Sequence, residues 1–382
     1  MMRIAQVSPL AEAVPPRFYG GTERVVATLC DSMVDLGHDV TLFASAESST
    51  KATLIPMRDQ ALRLDTALWS DVAAHLNMLD EVRARAAQFD IIHFHLDCLQ
   101  MPMFADIAHK TLTTLHGRLD IKDLDALLMR WRQFPLASIS DDQRRPVPAA
   151  NFVGTVYHGF PKSQFQFNGD PTGYLAFLGR ISPEKRPDRA IEIAKRTGIP
   201  LRIAAKVDRV DMPYFKDVIE PLLNDPLIEF IGEVDDSQKS EFLGNARALL
   251  FPIDWPEPFG LVMIEAMACG TPVIAWPCGA VPEVIDDGVT GLLVRDMDMA
   301  VRAALHITAL DRRRVRQVFE QRFSAEVMAQ GYIDIYRRLI AAPHVAKPAR
   351  RPANAMTAVW VAPPAAAAID PYPILPTSSP GA

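Results

Sequence analysis

Arg3-Ile-Ala-Gln-Val7 reads as a short buried strand, and the loop that follows, residues 8–21, holds Pro15-Pro16 and ends in Tyr19-Gly20-Gly21-Thr22-Glu23. A helix is predicted from about residue 22 to 36, because Val25, Val26, Leu29 and Met33 recur at helical spacing. Gly37 stops it, and His38-Asp39 leads into a second strand, Val40-Thr-Leu-Phe43. Strand, glycine loop, helix and strand in this order open a doubly wound α/β domain. Gly20-Gly21 stands just before the helix start, where backbone lacking Cβ atoms can come close to an anion. On these residues alone the pair also reads as a tight turn, and it is not G-x-G-x-x-G, so a dinucleotide fold is poorly supported.

The same alternation runs outward along the chain. A helix is expected over 71–88, then a strand entering a loop at Phe89-Asp90-Ile-Ile-His-Phe-His95, and another at Thr111-Leu-Thr-Thr-Leu115, followed at once by His116-Gly117. His93 and His95 alternate with apolar residues; one is expected to pack and the other to reach a cleft edge. His116 is better placed for a site, since open parallel sheets bind ligands at the carboxyl ends of their strands. Strands at 137–140 and 152–157 complete a first domain, 1–160, and the Gln-, Asn- and Gly-rich stretch 161–173 reads as a linker. Strands are then expected at 174–178, 201–205, 228–231, 248–251, 271–275 and 291–294, within a second domain, 161–324. A long amphipathic helix is predicted from residue 323 to 340, and the Ala-, Pro- and Ser-rich stretch 343–382 reads as a disordered tail.

With 382 residues, 49% hydrophobic and 23% charged, the chain has material for two real cores. A net charge of -6 argues against a nucleic-acid partner, which needs a basic excess. Cys30, Cys98, Cys269 and Cys278 show no C-x-x-C spacing and read as small buried residues in a reducing compartment. The N-terminal apolar run is too short for a secretory leader, and no run reaches the roughly 18–20 residues that span a bilayer. The expectation is a cytoplasmic protein, with peripheral contact at the inner membrane face left open.

Two stretches carry chemistry. In the second domain Gly179-Arg180-Ile-Ser-Pro-Glu-Lys185-Arg186-Pro187 follows a strand, and two cations at a sheet edge can neutralise a diphosphate; the alternative is a solvated basic turn. Further on comes Asp254-Trp-Pro-Glu257-Pro-Phe259-Gly260-Leu261-Val-Met-Ile-Glu265-Ala-Met-Ala-Cys-Gly270. A Pro-bracketed loop places Glu257 just before a helix of about 260–269, and Glu265 lies about two turns into it. Free N–H groups of Phe259, Gly260 and Leu261, with the positive dipole end behind them, suit an anion. Carboxylates beside an anion site suggest a ligand that is both sugar and phosphate.

At these residues the chain resembles a known family. Glu257-Pro-Phe-Gly-Leu261 with Glu265 is similar to the E-x7-E motif of retaining glycosyltransferases of the large bacterial group 1 (family 4) type, and the resemblance covers most of the chain up to about residue 340. It implies the GT-B fold: two Rossmann-like doubly wound domains facing an interdomain cleft, with the last helix, 325–342, crossing back onto an acceptor-side first domain. It implies that Gly20, Gly21 and Thr22 lie against the donor phosphates and the acceptor side, and that His116 contacts the donor sugar. Arg180 and Lys185 would hold the diphosphate, and the loop Gly232-Glu-Val234 would meet the nucleobase through its backbone. Glu257 would bind sugar hydroxyls, Glu265 the ribose, and Phe259, Gly260 and Leu261 sugar or phosphate through N–H groups. Ser140-Asp-Asp-Gln resembles the end of the family's first domain. Two departures stand out: His158-Gly159 where the family has Asn-Gly, and Arg186 where it has Gly after the Lys, which either alters the loop or adds a third cation.

The activity implied is transfer of a hexose, with retention, from a nucleotide-diphosphate sugar to a hydroxyl of a glycan, lipid or small molecule. The nucleotide sugar is a co-substrate and no cofactor is implied. No metal is expected, although Asp-x-Asp occurs at Asp296–Asp298 and Asp123–Asp125. A 2-epimerase-like enzyme on the same scaffold and a non-catalytic nucleotide-sugar binder are the competing expectations. Base, sugar and acceptor stay open.

Overall fold

The computed structural model describes residues 1–17, 20–65 and 70–342. The tail expected at 343–382 lies outside the described residues, as does Tyr19 of the glycine loop. Seven strands build the first sheet: β1 (Arg3–Val7), β2 (Asp39–Ala44), β3 (Thr53–Pro56), β4 (Ile91–Phe94), β5 (Thr111–Thr114), β6 (Leu136–Ser138) and β7 (Phe152–Thr155). Six build the second: β8 (Tyr174–Arg180), β9 (Leu201–Lys206), β10 (Ile228–Gly232), β11 (Ala246–Phe251), β12 (Val273–Ala275) and β13 (Gly291–Leu293). The orders are β3-β2-β1-β4-β5-β6-β7 and β10-β9-β8-β11-β12-β13, every pair parallel. Both are doubly wound α/β sheets, with strand order reversing between β1 and β4 and between β8 and β11.

Burial explains the composition of the inner strands. Ile4, Ala5, Gln6 and Val7 are all buried, because helices cover both faces of a parallel sheet. On one face the helix Gly21–Asp35 sets Val25, Val26, Leu29 and Met33 against Tyr332, Ile333 and Tyr336 of the last helix, Ala325–Ala341. On the other, the helix Val72–Ala84 contributes Met78, Leu79 and Val82. The expected helix over 71–88 therefore ends early; a three-residue 3₁₀ turn, Ala86–Gln88, follows it. Among the described residues no helix is long and apolar enough to cross a membrane.

The long helix expected over 323–340 is present as Ala325–Ala341, and a further helix, Arg312–Arg322, precedes it, the two separated at Phe323 and the extended Ser324. The break has a purpose in the fold. The chain passes from the first half to the second at Phe160 and returns at Ser324, and these two crossings pair: Phe160 N–H donates to Phe323 O at 3.0 Å and Ala325 N–H to Phe160 O at 2.9 Å. The stretch 161–173, read as linker, also packs, burying Phe165 and giving the Asn168 carbonyl to Arg312 at 2.7 Å.

Gly159 lets the crossings meet, since a Cβ there would lie 2.4 Å from the Ser324 carbonyl oxygen. Gly159→Ala is expected to cost about 1–3 kcal/mol by overpacking against backbone that has nowhere to go. Gly117→Ala, whose Cβ would meet nothing within 4 Å, should stay within ~0.5 kcal/mol. Urea unfolding of the two variants checks this, and equal midpoints would mean that the crossings are loosely joined.

Candidate active site

The carboxyl ends of the two sheets face each other across a cavity of about 650 Å³. Glu257, His116, Arg180, Lys185, Gly20, Gly21, Thr22, Val234, Phe259, Gly260, Leu261 and Glu265 all line it. Each arrives from the end of a strand or the loop after it. Gly20, Gly21 and Thr22 follow β1, His116 follows β5, Arg180 ends β8 with Lys185 in the next turn, Val234 follows β10, and Glu257 and the helix Leu261–Ala268 follow β11.

The Glu257 loop is fixed by backbone. Ala280 N–H donates to Glu257 O at 2.9 Å, and Gly279, at φ +60°, lies so close that a Cβ would sit 2.3 Å from Glu257 N. From the first half of the chain, Ser140 Oγ donates to Pro258 O at 2.7 Å. Gly260, at φ +84°, turns the chain into the helix Leu261–Ala268, which starts without a side-chain cap. Its first N–H groups therefore remain for other acceptors. Glu265 is the fifth residue of that helix, one turn in rather than two.

Both expected cations are held by carboxylates. Lys185 Nζ donates to Glu257, and lies 4.7 Å from the Trp255 ring centroid and 5.6 Å from that of Phe251. Arg180 faces Glu184, with Asp211 at 3.3 Å and Asp208 at 3.7 Å. Arg186 does not become a third cation of the cavity: at φ +53° it turns outward to Asp188 and Asp254, and those hydrogen bonds push its guanidinium further up. Of the two Asp-x-Asp triplets, Asp296 caps the helix Met297–His306 and Asp298 pairs with Arg196. Among the described residues no group of three or more His, Cys, Asp or Glu is arranged to hold a metal ion.

His116 closes a buried polar chain. Its Nε2 is 2.8 Å from His95 Nδ1, and His95 Nε2 is 2.9 Å from Gln6 Oε1. The Gln6 amide nitrogen bonds Tyr336 Oη at 3.1 Å and lies 3.5 Å from Met33 Sδ, which orients the amide. Gln6 Oε1 therefore accepts from His95 Nε2–H, bare His95 Nδ1 accepts in turn, and His116 carries its proton on Nε2. Burial pushes His116 down to about 3, so it meets a ligand as a neutral hydrogen-bonding ring. His93 and His95 are both buried and neither lines the cavity, which corrects the expectation that one of them reaches the edge. His158, in place of Asn, stacks on His116 with centroids 5.3 Å apart and planes 13° apart, and lines the cavity.

Four cations were missed by sequence reasoning: Arg24, Lys239, Lys206 and Arg63 also line the cavity. Lys206 ends β9 and was findable by the rule that found Arg180. Lys239 lies one turn into the helix Asp236–Gly244 and Arg63 in a short 3₁₀ turn, and neither sits in a recognisable pattern.

Burial holds His93, His95, His116 and His158 below the ordinary imidazole range. The unfolded rings take up protons near pH 6.5 while the folded ones do not, so their contribution is complete above about pH 6.5 and lost as pH falls below it. Each can remove up to ~1.4 kcal/mol per pH unit, and the four together up to about 5.5 kcal/mol per pH unit. Urea midpoints should thus fall steeply between about pH 6.5 and 5, and less steeply in His95→Gln; a level profile would contradict the assignment of four neutral rings.

Comparison with known proteins agrees with this geometry. The family Glycosyl transferases group 1 matches residues 161–322 and Glycosyltransferase Family 4 matches residues 19–142. The chain is 26% identical over 368 residues to a phosphatidyl-myo-inositol mannosyltransferase of Mycolicibacterium smegmatis, covering 85% of this chain and 89% of that one. It superposes on sucrose-phosphate synthase from Thermosynechococcus elongatus with a TM-score of 0.73 at 19% identity, covering 90% of this chain and 100% of the other. With an Anabaena protein, HepE, solved in complex with UDP-glucose, the TM-score is 0.69 at 16% identity, over 88% and 100%. Two facing doubly wound sheets, a carboxylate loop before an uncapped helix and these matches lead to one conclusion: the chain belongs to the group 1, family 4 glycosyltransferases.

Proposed function

We propose that the cavity transfers a hexose, with retention, from a nucleotide-diphosphate sugar to a hydroxyl acceptor, protein cations supplying the charge that the leaving group needs. The observation that carries this reading is the convergence of Arg180, Lys185, Glu257 and the Leu261 helix start on one cavity between two sheets. As the sugar C1–O bond to the diphosphate breaks, negative charge grows on the phosphate oxygens. Arg180, Lys185 and the helix N–H groups stabilise it without reorganising. Lys185 lies between that charge and Glu257, whose carboxylate binds sugar hydroxyls. The acceptor oxygen bonds to C1 on the same face, and its proton passes to the departing phosphate. No side chain is assigned as a covalent nucleophile. His116, neutral and with its Nε2–H donating to His95, accepts a hydrogen bond from a sugar hydroxyl at Nδ1. The mannosyltransferase named above, whose own acceptor is phosphatidyl-myo-inositol by name, supports a hexosyl donor and a hydroxyl acceptor.

Incubation with UDP-, GDP- and ADP-hexoses, followed by nucleotide release with and without added acceptors, tests the reading. Release is expected to need a hydroxyl acceptor above a slow hydrolytic background. Glu257→Gln and Lys185→Met are each expected to lower kcat/KM by about 10²–10³, while Asp298→Asn, far from the cavity on the Arg196 pair, leaves it unchanged. Transfer surviving both substitutions would remove the assignment, and a sugar epimer formed without acceptor would replace transferase by epimerase.

A further inference from the structure

Four charges of alternating sign run from one half of the chain to the other along the edge of the cavity. Arg24, in the helix after the glycine loop, pairs with Asp236. Asp236 lies 3.2 Å from Lys239 Nζ, and Lys239 donates to Glu265 at 3.0 Å. Arg24, Lys239 and Glu265 line the cavity. Glu265 is only 4% exposed, and Lys239 is its carboxylate's one side-chain partner among the described residues. An ionised carboxylate so deeply buried is costly unless a cation and hydrogen bonds offset it. Lys239 uses one oxygen, which leaves the other to accept from a ligand.

We propose that Lys239 is a specificity-determining positioning residue. It holds Glu265 turned so that its free oxygen accepts from a ribose hydroxyl, and through Asp236 it ties that contact to Arg24 across the cleft. This deepens the sugar-nucleotide reading and rests on Glu265 facing the ribose. Asp236 is suited to the link. Burial alone would raise its carboxyl, yet Lys239 and Arg24 outweigh that and hold it below the ordinary value, so it stays a charged bridge. A ribose lacking a hydroxyl leaves Glu265 with an unmet acceptor, whereas a displaced Glu265 cannot tell the two sugars apart.

The test is calorimetric binding of whichever of UDP, GDP and ADP binds the full chain most tightly, against its 2′-deoxy and 3′-deoxy forms. The wild type should prefer the ribonucleotide over at least one deoxy form by about tenfold or more, as expected for a hydrogen bond to a charged group. Lys239→Met should reduce that preference to about twofold, Lys239→Arg should restore most of it, and Asp236→Asn should weaken it in a way that does not add to Lys239→Met. Because Lys239→Met strands a buried carboxylate, Lys239→Met with Glu265→Gln is measured alongside; it should fold and bind yet still fail to discriminate. A wild type that binds the nucleotide but does not discriminate overturns the ribose assignment of Glu265, and this proposal with it. Discrimination that persists in Lys239→Met overturns the role of Lys239 alone and leaves the ribose assignment standing.

Discussion

Every arrangement at the cavity depends on placing charge where water is scarce without leaving any of it unopposed. Lys185 and Glu257 have side chains only 20% and 12% exposed and lie in contact. Removing either partner would strand the other, and such losses typically run to about 3–5 kcal/mol. The pair therefore holds the loop and the strand-end turn together as well as poising both groups. An anion entering beside Lys185 would not meet a naked cation. It competes for one already desolvated and aimed, so little reorganisation remains. Arg180 among Glu184, Asp208 and Asp211 obeys the same logic.

Backbone makes that electrostatics possible. A carboxylate can be held within reach of a lysine from another strand only if its loop comes close, and Gly279 packs against Glu257 where a Cβ would lie 2.3 Å from the Glu257 nitrogen. Gly260 does the next step, taking φ +84° so that the chain turns at once into the helix whose N–H groups face the same cavity. At the other end of the architecture Gly159 lets two crossing segments touch. At all three places a side chain is excluded by neighbouring atoms or by the sign of φ.

Much of this was legible in the chain because parallel sheets obey a simple rule. Strands buried on both faces are apolar runs, and ligands gather where those runs end. Val7, Leu115, Leu178 and Phe251 mark such ends, and the residues just beyond them line the cavity. What escaped was set by contacts with no local signature. The last helix starts at Ala325 rather than at 323, because the Phe323 carbonyl and the Ala325 N–H pair with Phe160. β3 is a four-residue edge strand with one proline, too short to stand out. Lys239 is an ordinary helix lysine until Glu265, 26 residues away, is seen beside it. One of His93 and His95 was expected at the cleft edge because both alternate with apolar neighbours; the buried partners of His95, Gln6 and His116, come from other strands.

Contacts across the two halves lie at opposite flanks of the cavity and differ in kind. On the crossing side they are several hydrogen bonds. Glu283 accepts from the N–H groups of Asp141 and Asp142 and from Tyr157 Oη, and Ser140 donates to the Pro258 carbonyl. On the glycine-loop side the link is the ion pair of Arg24 and Asp236, with Asp236 41% exposed. A partly exposed ion pair is weak in water and gains strength as solvent leaves. The halves are thus anchored where the chain crosses and lightly latched where the loop after β1 faces the second sheet. Expulsion of water from the cavity would strengthen the latch and, by the same drop in local dielectric, every other ion pair that lines it. One change in solvation thereby acts on the latch and on the paired charges of the cavity together.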